Sequence, residues 1–248
     1  MKELDGIKIV PEGDSALLVE FENEISESCN RKVSSLNKKL KQNKIKGIIE
    51  TIPAFRSLLV FYDPMKISYG YAERHLKKLL RESEDSCGLE KRVIHIPVCY
   101  ESEFGVDMEQ LCEHTGLCRE EIIQIHSDRD YLIYMLGFLP GFPYLGGLDK
   151  RLEMCRLENP RTSIPAGAVG IGGKQTGIYP LSSPGGWRII GQTPVKLYDS
   201  NRKNHILYQA GDYIRFEPIS AERYYQMKEQ VVNHSFDDAS LIYCESGE

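Results

Sequence analysis

Between Gly137 and Pro194 glycine and proline recur every few residues, and aromatic and β-branched residues fill the gaps. The stretch opens with Gly137-Phe138-Leu139-Pro140-Gly141-Phe142-Pro143-Tyr144-Leu145-Gly146-Gly147 and runs on through Pro160 to Tyr179 and Ser183 to Trp187. Glycine permits positive φ and close backbone approach, whereas proline fixes φ and stops helices. A long helix is therefore excluded. A flexible linker is excluded too, because linkers lack Ile, Val, Phe and Trp at this density. The stretch predicts short strands joined by tight, rigid turns.

The rest of the chain is organised around that block. Ile7–Val10 and Ser15–Phe21 read as strands around a Glu12-Gly13-Asp14 turn. Ile25, Cys29, Val33, Leu36 and Leu40 fall at helical spacing, as do Tyr69, Ala72, Leu76, Leu79 and Leu80. Lys46–Ile52, Ser57–Tyr62 and Arg92–Val98 complete a ββαββαβ order, with a charged, exposed loop over Arg81–Ser86. This predicts an N-terminal α/β sandwich-like domain, residues 1–95, with helices on one face of an open sheet. Residues 96–248 then form a β-barrel domain with two short helices at its start, Asp107–His114 and Arg119–His126. Its strands include Tyr131–Leu136, Trp187–Ile190, Val195–Tyr198, Ile206–Gln209 and Tyr213–Phe216. A last helix carries Tyr224, Tyr225, Lys228 and Val231 on one face, and the final dozen residues are expected to fray. The whole is an α+β protein.

Several function classes are disfavoured. The net charge of −5 argues against a general affinity for nucleic acid or anionic membrane. The two short helices resemble a helix-turn-helix, but Glu109, Glu113, Glu120, Glu121 and Asp128 face a single Arg119, and DNA phosphates need cations. No transmembrane helix is expected, and the first residues lack the apolar core of a signal peptide. Seven scattered cysteines fit a reducing cytoplasm. Cys112, His114, Cys118 and His126 lack a zinc knuckle's spacing, so no metal is expected.

Gly170-Ile171-Gly172-Gly173-Lys174-Gln175-Thr176 invites comparison with a phosphate loop. The Walker pattern fails at Ala168 and Gln175, and Pro180 prevents the helix that should follow. Gly172 and Gly173 either form a backbone anion nest or turn barrel corners. Arg161 either clamps a carboxylate or phosphate bidentately or pairs a nearby acid to fix its loop. Lys174, Gln175, Thr176, Tyr179 and Ser183 offer charge, hydroxyl and amide groups for a substrate or for turn backbone. His126, at a helix end, is a general base or a cap. Phe138, Phe142, Tyr144 and Trp187 line a pocket, a partner groove or a core. There is no G-x-S-x-G elbow.

The segments GFLPGFPYLGG, PRTSIPAGAVGIGGKQTGIYP and SPGGWRIIGQTP resemble the signature of the allophanate hydrolase subunit 1 family. DSALLVEF, ETIPAFRSLLVFYDP and RVIHIPVCY extend the resemblance over nearly the whole chain. It implies a cyclophilin-like barrel. It also implies a subunit of an ATP-dependent 5-oxoprolinase that converts 5-oxoproline to L-glutamate with partner subunits of A and C type and is inactive alone. ATP, with magnesium, would be bound by the complex. Arg161 and His126 become candidates for chemistry in that setting. The same family contains KipI-like inhibitors of a sporulation sensor histidine kinase. Carboxyltransferase parts of urea carboxylase and allophanate hydrolase systems share the fold, which leaves those roles as alternatives.

Overall fold

The structure is a computed structural model and describes residues 6–24, 26–82 and 91–245. The chain divides into two compact units, Met1–Cys87 and Gly88–Glu248.

In the first unit β1 (Lys8–Glu12) and β2 (Ala16–Glu20) form a hairpin, followed by α1 (Glu27–Asn43), β3 (Ile48–Pro53), β4 (Ser57–Tyr62) and α2 (Tyr69–Arg81). The strands make one antiparallel sheet in the order β1-β2-β4-β3. Side chains alternate across a strand, so Leu17 and Val19 of β2 share the buried face with Leu58, Val60 and Tyr62 of β4. Val33, Leu36 and Leu40 of α1 and Ala72, Leu76 and Leu79 of α2 close that core. Each helix starts at a serine that caps it: Ser26 accepts from the Cys29 amide and Ser68 from the Tyr71 amide. Of the expected loop Arg81–Ser86, Arg81 ends α2, and 83–86 lie outside the described residues, as does Ile25.

The second unit contains β5 (Lys91–Cys99), α3 (Met108–Thr115), α4 (Arg119–Ser127), β6 (Asp130–Leu136), β7 (Pro143–Leu145) and β8 (Arg161–Ile164). β9 (Ala168–Gly172), β10 (Gln175–Ile178), β11 (Ser183–Gly185), β12 (Arg188–Gln192), β13 (Tyr213–Ile219), α5 (Ala221–Val232) and β14 (Ile242–Glu245) follow. The order β12-β9-β10-β7-β6-β13-β5 closes on itself through a β12–β5 pairing, giving a barrel of seven strands. β13 runs parallel to β5, and β14 adds to the free part of β5's other edge. Inward positions follow the two-residue period: Ile94, Ile96 and Val98; Tyr131 and Ile133; Val169 and Ile171; Ile214 and Phe216. Met108 and Leu111 of α3 and Ile122 of α4 join this core. The two helices are thus packing elements of the barrel.

Three expectations need correction. The fifth strand, assigned to the first domain, belongs to the barrel: both edges of β5 are hydrogen-bonded to barrel strands, and the unit boundary falls before it. Val195–Tyr198 and Ile206–Gln209 are not strands and meet only in a bridge between Tyr198 and Ile206. The chain end up to Glu245 is not frayed: a short 3-10 turn over Asp238–Leu241 leads into β14, which pairs with β5.

Candidate functional site

The glycine-rich stretch is the β9–β10 hairpin, and its glycines make room for one side chain. Glycine lacks Cβ, which allows another group to approach the backbone closely. A Cβ on Gly172 would stand 2.5 Å from Trp187 Cε2, and one on Gly177 2.9 Å from Trp187 Cζ3. Gly170 and Gly177 are register partners, and Gly172 follows two residues on from Gly170. All three lie on the strand face opposite the barrel core, with the Trp187 indole against it. Gly173 turns the hairpin at φ +69°, and its amide donates to the Met154 carbonyl at 2.8 Å. At this turn the indole packs on the Cα face of Gly172 and the Gly173 amide is engaged. Lys174 projects from the turn and is exposed.

Around Trp187 sits a second core of Phe142, Ile164, Ala168, Tyr179 and Ile189, with Leu139 and Tyr144 at its edge. Phe142 meets Tyr144, Tyr179 and Trp187 at centroid distances of 5.1, 5.2 and 5.3 Å, the last two edge-on, an arrangement that aromatic quadrupoles favour. Phe142, Tyr179 and Trp187 are therefore interior, whereas Phe138 is 63% exposed. The Arg156 guanidinium lies over the Trp187 ring, 5.7 Å from its centroid, and is otherwise exposed. Burial pushes the Tyr179 hydroxyl up, and the charges of Arg156 and Arg161 act against that shift.

Arg161 opens β8, which pairs with β11 in a separate two-stranded ribbon. Its Nη2 donates to Asp107 Oδ1 at 2.7 Å. Asp107 is fully buried, and its Oδ2 accepts from the Ile189 amide at 2.6 Å. One carboxylate so ties β8, β12 and the start of α3 together. Arg161 is about one third exposed on its side chain, and its Nη1 is buried without a hydrogen-bond partner. Ser183, in β11, donates to the Pro184 carbonyl, and Gln175 is half-buried with its Nε2 unpartnered.

His126 is elsewhere, inside the barrel. It is fully buried, stacked on Phe216 at 4.4 Å, and both ring nitrogens are bonded. The Thr176 hydroxyl donates to the Gly170 carbonyl, so its oxygen accepts from His126 Nε2–H at 2.8 Å. Nδ1 then accepts from the Tyr100 hydroxyl, also at 2.8 Å. Burial, with a smaller contribution from the Arg129 charge, lowers its pKa to about 3, so the ring is neutral. The network assigns His126 and Thr176 to the barrel core. An imidazole with both nitrogens engaged and no exposed surface is neither the expected base nor the expected cap. Among the described residues no group of three or more His, Cys, Asp or Glu side chains converges on a possible metal site, and no helix is long and apolar enough to cross a membrane.

The structure therefore brings Trp187, Tyr179, Phe142, Tyr144 and the β9–β10 glycines together, with Arg161 near Tyr179. It separates His126 and Thr176 from them. The sequence reading passed over Asp107, Tyr100 and Arg156. Glycines at alternate positions facing a lone tryptophan were the available signal for the platform, but nothing local marks Asp107, whose partners lie 54 and 82 residues away.

This fold and platform place the chain in a known class. Residues 7–208 match the family described as "Carboxyltransferase domain, subdomain C and D", and the chain belongs to that family. It is 43% identical over 228 residues to the B-type subunit of the 5-oxoprolinase of Bacillus subtilis (strain 168), covering 88% of this chain and 95% of the relative. The crystal structure of TTHA0988 superposes with a TM-score of 0.74 at 35% identity; the match takes in 83% of this chain and 40% of that one, so the chain spans two fifths of that solved relative. Kluyveromyces lactis urea amidolyase, at 20% identity and a TM-score of 0.77, shares the fold across this whole chain and 17% of its own length.

Proposed function

We propose that this chain is the B-type subunit of a 5-oxoprolinase, one part of a multi-subunit, ATP-dependent lactam hydrolase. The observation that carries this reading is the 43% identity to a subunit of that name over 95% of its length. The chemistry asked of such a complex is demanding. A lactam is a resonance-stabilised amide, and phosphorylating its carbonyl oxygen makes the carbon electrophilic and supplies a leaving group. The transferring phosphoryl group needs cations and oriented backbone donors, because little else stabilises its charge. ATP is thus a substrate of the assembly.

In this reading the platform beside Trp187 binds and positions. Arg156 and Lys174 are exposed and cationic, suited to a phosphoryl group or to the carboxylate of 5-oxoproline. Arg161, held by Asp107, is a positioning residue that fixes β8 against β12. Asp107 and His126 are committed to internal bonds, so proton transfer falls to groups on the A- and C-type partner subunits, and the chain alone is silent. Deleting its gene should abolish growth on 5-oxoproline as sole nitrogen source, with recovery on re-expression. Undiminished growth and undiminished 5-oxoproline hydrolysis in the deletion strain would contradict the assignment.

A further inference from the structure

We infer that the buried chain Tyr100–His126–Thr176 is a positioning device for the reaction. From inside the barrel it fixes the β9–β10 hairpin, and with it the seat of Trp187 and the platform cations Arg156 and Lys174. The inference rests on the reading of the chain as a 5-oxoprolinase subunit.

The hydrogen bonds of this chain have one direction. The Gly170 carbonyl can only accept, so the Thr176 hydroxyl gives its proton there, at 3.1 Å. The Thr176 oxygen then accepts from His126 Nε2–H, and Nδ1 accepts from the Tyr100 hydroxyl, each at 2.8 Å. A neutral ring with both nitrogens so engaged keeps a single tautomer. The ring is also clamped. It stacks on Phe216 of β13 at 4.4 Å, and the His126 carbonyl accepts from the Tyr131 hydroxyl of β6 at 2.8 Å. Those two strands stand across the barrel from β9 and β10, so the anchor is independent of what it holds.

The chain ends where the platform begins. Gly170 lies between Gly177 of β10 and Ile189 of β12. A Cβ on it would stand 3.3 Å from Trp187 Cβ and 3.2 Å from Ile189 Cδ1. Thr176 directly precedes Gly177, whose own Cβ would stand 2.9 Å from Trp187 Cζ3. One hydroxyl inside the barrel thus spans the two strands on which the indole rests outside it. The third strand of the platform, β12, is held by Asp107 through the Ile189 amide.

Packing alone does not call for such a chain, since apolar residues of similar volume would fill the barrel without burying polar groups. A polar network with every member satisfied selects one geometry instead. The geometry selected here is that of the hairpin, whose turn carries Lys174 and whose outer face seats the indole under the Arg156 guanidinium. Supporting hydrogen bonds of this kind hold a binding site to within about 0.5 Å.

The test uses the full chain in complex with its A- and C-type subunits, and reads steady-state kinetics per folded molecule together with Trp187 emission. Thr176→Val removes the hydroxyl at nearly constant volume. It should shift the emission and raise the KM of an anionic substrate about ten-fold or more, with kcat changed less. Thr176→Ser restores the hydroxyl and should recover most of both. Tyr100→Phe acts from a site on neither strand: it removes the donor at Nδ1, frees the ring to take its other tautomer and should raise the same KM. A rise for 5-oxoproline marks its carboxylate as the group the platform holds, and a rise for ATP marks a phosphate; either upholds the positioning role. Unchanged KM values in both Thr176→Val and Tyr100→Phe would overturn it and leave His126 a packing residue, however much stability is lost. A KM rise that Thr176→Ser does not repair would overturn it too. Should Thr176→Val fail to fold, Tyr100→Phe decides on the same two readouts. A wild-type complex that makes no glutamate is a different failure: the subunit reading itself falls, and this role with it.

Discussion

Replacing Arg161 by alanine should destabilise the protein by about 2–4 kcal/mol. The magnitude follows from Asp107, a fully buried carboxylate with one donor on each oxygen, Arg161 Nη2 at 2.7 Å and the Ile189 amide at 2.6 Å. Removing the guanidinium deletes a charge-assisted bond worth about 1.5–3 kcal/mol. It also leaves a buried anion with a single donor, a situation that costs about 3–5 kcal/mol when no water can enter. The Arg161 side chain is one third exposed, so water reaches part of the vacated space and lowers that upper bound. Urea titration followed by the emission of Trp187, the sole tryptophan, and by circular dichroism measures the loss. Arg161→Lys keeps the charge and should recover much of it. Combining Arg161→Ala with Asp107→Asn should cost less than the sum of the single changes by about 1–3 kcal/mol, because the two groups share one interaction. A loss below about 1 kcal/mol for Arg161→Ala, or strict additivity in the double variant, would refute the clasp. Activity separates it from an anion clamp. A clasp leaves the folded fraction active to within about ten-fold and lets lysine rescue, whereas bidentate clamping predicts a larger loss that lysine cannot repair.

Two more perturbations probe the barrel and the platform. The native protein keeps His126 neutral because burial lowers its pKa to about 3, while the unfolded chain takes up the proton below about pH 6.5. Its contribution is therefore complete above pH 6.5 and is lost as the pH falls toward 3, by about 2 kcal/mol at pH 5; a His126→Gln variant with the same slope of stability between pH 6.5 and 5 would show that the ring is not held neutral. Gly172→Ala places a methyl 2.5 Å from the indole and should cost about 1–3 kcal/mol with a shift in Trp187 emission, and an unchanged spectrum at unchanged stability would remove the packing explanation for the glycines.

Local pattern and long-range pairing divide what could be read in advance. The amphipathic spacing of Val33, Leu36 and Leu40, and of Ala72, Leu76 and Leu79, defines α1 and α2 because each helix buries one stripe. The allegiance of β5 was hidden, since Arg92–Val98 is a strand by composition in either domain and only its partners, β13 and β14, decide the sheet. β14 was hidden for the same reason: four residues near the chain end form a strand only because β5 offers an edge. Val195–Tyr198 and Ile206–Gln209 have strand composition but pair at one bridge alone. At the site, the Gly/Pro block announced tight turns and close packing, which Trp187 explains. His126 looked like a helix terminus because α4 ends beside it, while its actual partners, Tyr100 and Thr176, lie 26 and 50 residues away.

The decisive assay of the assigned role is conversion of 5-oxoproline to glutamate by purified components. The chain, the A- and C-type subunits, magnesium and ATP are combined, and glutamate and phosphate are followed with each protein omitted in turn. Glutamate should form, with stoichiometric ATP hydrolysis, only in the full mixture, and none should form without this chain. Equal turnover when the chain is left out, or turnover by the chain alone, would contradict the assignment.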